Sequence, residues 1–93
     1  MKGLTAKMSV SAEIESRLQA AFAPARLTVH DDSEAHRGHA GWREGGETHF
    51  RVEITAPAFA GMGRVARERA VHAALGPDLI GRIHALSLKI AAA

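Results

Sequence analysis

Apolar residues recur along this chain in two periods, and the switches between them divide it into elements. Over residues 9–23, Ile14, Leu18, Ala21 and Phe22 stand at i, i+4, i+7 and i+8, the single apolar stripe of a helix lying on a core. Ser9 or Ser11 suits its N-cap, Glu13 and Glu15 suit the positive end of its dipole, and Pro24 ends it. Residues 25–31 alternate, with Leu27 and Val29 on one face and Arg26, Thr28 and His30 on the other, as in a half-buried strand. Residues 48–55 alternate again, Thr48, Phe50, Val52 and Ile54 against His49, Arg51 and Glu53, until Pro57. Residues 62–75 return to a helical period with a weak apolar face of Val65, Val71, Leu75 and alanines, closed by Gly76 with Pro77 beyond. Residues 78–82 predict one helical turn. Residues 84–90 predict a third strand, with His84, Leu86, Leu88 and Ile90 on one side and Ala85, Ser87 and Lys89 on the other.

The order is therefore helix, strand, strand, helix, helical turn, strand. The first two strands pair most simply as antiparallel neighbours. A right-handed crossover through the later helices lays the third strand parallel to the second. This predicts an α+β fold with a three-stranded mixed sheet, helices on one face, and His49, Arg51, Glu53 and Lys89 meeting solvent on the other. Between the first two strands lies a long loop with Gly38, Gly41, Gly45 and Gly46. It is longer than a hairpin requires, and such loops often carry function. It holds His36 and His39 close to Asp31, Asp32 and Glu34.

Composition narrows the chemistry. With 93 residues the chain fits one domain over 1–93, with a flexible N-terminus at 1–8 and a short tail at 91–93. Met8 is an alternative start. There is no cysteine, which removes disulfides, thiolate nucleophiles and cysteine metal sites from this chain. The net charge is only +2, so long-range attraction to nucleic acid depends on local arginine clusters such as Arg64, Arg67 and Arg69. No apolar run is long enough to span a membrane, and the basic N-terminus lacks the apolar centre of a signal peptide, so the expected location is cytoplasmic. Ser33, Asp32 and His36 hold the residue types of a hydrolase triad. They crowd into one loop without a nucleophile turn or an oxyanion site, and no enzyme activity is expected.

Four segments in order resemble the BolA family over about residues 14–88. "DDSEAHRGHAG" is similar to the family's Asp-Glu-Ser opening and His-bearing, glycine-rich stretch. "THFRVEI" resembles its Ser-His-Phe-Lys-Val strand, "FAGMGRVARERAVHAAL" its Phe-x-Gly, Arg-x-Arg and Ala-Leu spacing, and "IHALSLK" its Val/Ile-His-Ala-Leu strand. The resemblance implies a type II KH-like fold. It also implies a non-enzymatic protein that pairs with a monothiol glutaredoxin and shares a 2Fe–2S cluster with it, in iron–sulfur trafficking or iron regulation. The implied ligands from this chain are His84 and a loop histidine, His36 or alternatively His39. A partner cysteine and glutathione would supply the sulfurs, and the isolated chain would hold no cluster.

Some relatives act as transcriptional regulators, which makes DNA the alternative partner, through Arg64, Arg67 and Arg69. The expected state of the chain alone is monomer or weak homodimer. Three departures bear on these expectations. The family's Arg-His-Arg reads Arg67-Glu68-Arg69 here, a less basic helix; Glu34 stands where relatives with several loop histidines often carry another; and the family's usual segment after the last strand is expected to be absent. The "GHAG" at Gly38–Gly41 has the KH spacing but falls between strands rather than helices. Read from their own patterns, His49 is a solvated strand residue beside Arg51 and Glu53, and His72 is a partly buried helix residue.

Overall fold

A computed structural model describes residues 9–32 and 49–92. Helix α1 spans Val10–Phe22. Strand β1 spans Arg26–Asp31 and β2 spans His49–Thr55. A 3₁₀ turn at Pro57–Phe59 leads to helix α2, Arg64–Leu75, then α3, Pro77–Ile80, and strand β3, Ala85–Ala91. The sheet runs β1-β2-β3, antiparallel between β1 and β2 and parallel between β2 and β3. This is the mixed three-stranded sheet the periodicity predicts, in an α+β architecture. The 3₁₀ turn is an addition: Pro57 ends the strand and starts a new turn, since its fixed φ suits a first helical position.

The local chemistry sets the boundaries. Ser9 is the cap of α1, its hydroxyl accepting from the Ala12 amide at 3.1 Å. Ala23 closes the helix in the left-handed region at φ 43°, and Pro24 follows. Gly76 joins α2 to α3 at φ 86°, where a side chain would be strained, and so ends α2 as expected. β3 continues to Ala91, one residue into the stretch expected as tail.

Ile14 and Leu18 of α1, Phe50, Val52 and Ile54 of β2, Phe59, and Val71, Leu75 and Leu79 of the later helices form the buried core. Leu27, Val29, Leu86, Leu88 and Ile90 from the flanking strands pack against it, half-buried. β2 contributes most because it is the central strand, covered on one face by helices and along both edges by neighbours. Two helix expectations change. Ala21 is exposed, so the α1 stripe ends in Phe22 alone, and Val65 of α2 is 61% exposed rather than in the core. Ala70 and Ala74 take the inward positions beside Val71 and Leu75 instead.

A polar clamp ties α1 to the α2–α3 corner. Both Arg82 terminal nitrogens donate to the Glu13 carboxylate, at 2.9 and 3.0 Å. Arg17 donates to the Leu75 carbonyl and lies 3.4 Å from Asp78. The Arg82 hydrogen bonds hold the Glu13 carboxyl below its ordinary value, and the Arg17 hydrogen bond does the same for Asp78. Carboxyls with lowered folded values stabilise the fold above their unfolded values and lose that contribution as pH falls through the folded ones. Both lie at the surface, where screening keeps the contribution small. Arg82→Ala should therefore lower Tm at pH 7 and narrow the Tm difference between variant and wild type below about pH 4. Thermal melts across pH check this; an equal deficit at pH 7 and pH 3 would contradict it.

Candidate functional site

The end of the sheet where β2 and β3 begin gathers two histidines. Parallel register pairs His49 with Ala85, so the residue before Ala85, His84, enters beside His49. The two ring centres are 5.0 Å apart with planes tilted at 56°. His84 is exposed, and a bend at that position leads into β3. His49 is 5% exposed, which corrects its reading as a solvated strand residue. Strand alternation assigns it to the open face with Arg51 and Glu53, but at the sheet end its ring packs against that of His84. The signal was present in the sequence: a histidine just before the third strand comes beside one at the start of the second once those strands pair in parallel.

The stem of the long loop is fixed at the same end. The Asp32 amide donates to the His49 carbonyl at 2.8 Å, extending the β1–β2 ladder by one bond. The Asp32 carboxylate accepts from Arg51 Nε at 3.1 Å, a hydrogen bond that raises the Arg51 value above its ordinary one. Arg51 also reaches Glu53 at 3.3 Å, and Glu53 lies 3.9 Å from His30 Nε2. It is thus His30, not His49, that approaches Glu53 across the strands. His36 and His39 lie outside the described residues, as do Ser33, Glu34 and Trp42. Among the described residues, no three histidine or acidic side chains converge on one point.

The arginines of α2 occupy a different place. Arg67 donates from Nε to the Met62 carbonyl at 3.0 Å and from Nη1 to the Ile90 carbonyl at 3.4 Å. It ties the start of α2 to the far end of β3. Ile90 is six residues beyond His84, about 20 Å along an extended strand. The start of α2 therefore lies by the end of β3 opposite His84. Arg64 is 92% exposed, with Glu68 at 3.5 Å. Arg64, Arg67 and Glu68 line a groove of about 300 Å³ with Leu88 and Ile90. Arg69 is exposed near Val65 and His72. His72 is exposed, not partly buried, because Val71 and Leu75 take the inward face of that turn.

These contacts divide the arginines by role. Arg67→Ala should cost about 1 kcal/mol of stability by releasing two carbonyls. Arg64→Ala should stay within about 0.5 kcal/mol. Urea unfolding of both variants checks the contrast; equal losses would contradict it.

A family model described as BolA-like protein matches residues 18–93. An uncharacterized protein in a cobS 5′ region of Sinorhizobium sp is 48% identical over 86 residues, covering 91% of this chain and 92% of that protein. The DNA-binding transcriptional regulator BolA of Escherichia coli (strain K12) is 36% identical over 81 residues, covering 87% of this chain and 73% of the regulator. The structure of the BolA domain of SufE1 from Arabidopsis thaliana superposes with a TM-score of 0.77 at 34% identity, over 94% of this chain and 95% of the domain. The class defined by the fold is that of the BolA structures, an α+β domain of type II KH-like kind. The chain belongs to the BolA-like family.

Proposed function

We propose that this protein is a non-enzymatic adaptor that pairs with a monothiol glutaredoxin and shares a 2Fe–2S cluster as cargo, in iron–sulfur trafficking or iron regulation. The observation that carries the reading is His84 exposed at the start of β3, beside the anchored stem of the loop that holds His36 and His39. The donor set fits one half of such a cluster. The chain offers imidazoles and no thiolate, so it cannot satisfy both irons alone. Histidines on one iron, with a partner cysteine and glutathione on the other, complete the ligand count. His84 with His36, or alternatively His39, would hold the cluster from this side. Neutral imidazole in place of thiolate removes negative charge and raises the potential of the cluster, as it does in Rieske centres.

Copurification tests the reading. A monothiol glutaredoxin expressed with this chain should yield a coloured heterodimer containing two irons per pair. Colourless, separate proteins would contradict it.

The second reading, a DNA-binding regulator, is favoured by the regulator named among the relatives and by the exposed Arg64 and Arg69. It is weaker here because Arg67 is engaged with two carbonyls and Glu68 lies beside Arg64. It requires affinity that falls steeply with salt and weakens in Arg64→Ala.

A further inference from the structure

His49 is the one buried polar residue among the described residues outside the proposed ligand set, and it lies against the exposed His84. We propose that His49 and His84 form a cross-strand chelate that binds a single divalent transition-metal ion, of the zinc or nickel class, in the chain without its partner.

The geometry carries this. Two imidazole nitrogens each about 2.1 Å from one ion, at an N–metal–N angle of about 90–110°, place ring centres roughly 4.6–5.3 Å apart. The observed separation is 5.0 Å, with the rings tilted rather than stacked face to face. The parallel pairing of His49 with Ala85 places His84, one residue before β3, next to His49. His49 is ordered by burial, while His84 opens the pair to solvent, so an ion has both a preset ligand and an entry path.

The chemistry selects the ion. Imidazole suits zinc, nickel and copper, whereas calcium and magnesium take oxygen ligands. Among the described residues, no third histidine or acidic side chain joins the pair. The site shares His84 with the cluster reading. An ion held by the dyad and a cluster held through His84 therefore exclude each other.

The test uses the full chain alone. Calorimetry with Zn²⁺ at neutral pH should give one ion per chain with Kd below about 100 µM. His84→Phe and His49→Phe should each weaken binding at least tenfold, about 1.4 kcal/mol, because phenylalanine keeps the ring contact and removes the nitrogens. The double variant His36→Gln/His39→Gln should bind like wild type. Paramagnetic Ni²⁺ should broaden the resonances of His49, His84, Phe50 and Ala85 first. Zn²⁺ affinity unchanged in His49→Phe, or lost in the loop double variant, would overturn the proposal. Broadening centred on His30 or His72 would do the same. His84 is exposed, so its variant folds and decides the matter even if His49→Phe does not. Failure of the dyad leaves the copurification result untouched, and a colourless copurification leaves the Zn²⁺ result untouched.

Discussion

His84→Ala should abolish the spectral change that wild-type protein induces in a cluster-loaded monothiol glutaredoxin. On the proposed ligation the expected effect is complete, because the substitution would remove an atom bonded to iron rather than adjust one. Without an imidazole from this chain the cluster would keep the sulfur ligands it has in the glutaredoxin, and the charge-transfer bands that visible absorbance and circular dichroism report would stay as they are. His84 is exposed, precedes β3 and takes no part in the core, so alanine there leaves the fold intact. Far-ultraviolet circular dichroism of the variant should match wild type. If the variant reproduces the wild-type visible spectrum, His84 is not a ligand. His36→Ala and His39→Ala, tested in the same way, decide which loop histidine serves.

Phe59→Ala should be the most destabilising single change outside the sheet. Phe59 is fully buried on the 3₁₀ turn, and its ring centre lies 4.7 Å from that of Phe22 at the end of α1. The turn thereby joins the second strand, the first helix and the crossover in one contact. Truncating a buried phenylalanine costs about 3–5 kcal/mol, from lost transfer energy and the cavity left behind. A domain of this size has roughly 5–14 kcal/mol in total, so the variant keeps little. Tm should fall by at least about 12 °C. Val65→Ala, also an apolar truncation, should change stability by less than about 0.5 kcal/mol, because Val65 is exposed. A loss under about 1 kcal/mol for Phe59→Ala would contradict the role given to the turn.

The contrast between Phe59 and Val65 also shows what the sequence discloses. The strands were legible because each is half-buried, and burial on one face writes a period of two directly into β1, β2 and β3. α1 was legible for the same reason at a period of 3.6. α2 was legible as a helix, but its inward face was not, because alanines carry much of that face, and alanine appears on either side of a helix. Nothing local separates Val65 from Val71; the packing of Ala70, Val71, Ala74 and Leu75 against the core does.

The site was legible in part. The motif resemblance located His84 at a strand start, and the structure puts it there. His49 was misplaced because alternation describes the middle of a sheet, whereas at its end the neighbouring chain entry decides what is covered. The arginines shared a helix in the sequence, but only tertiary hydrogen bonds show that Arg67 is held by the Met62 and Ile90 carbonyls while Arg64 is open.

Whether this chain supplies one side of a shared cluster is tested most directly by titrating wild-type protein into a cluster-loaded monothiol glutaredoxin and following visible circular dichroism. A new spectrum should appear and saturate at one chain per glutaredoxin. A glutaredoxin spectrum unchanged through a several-fold excess of this protein would contradict it.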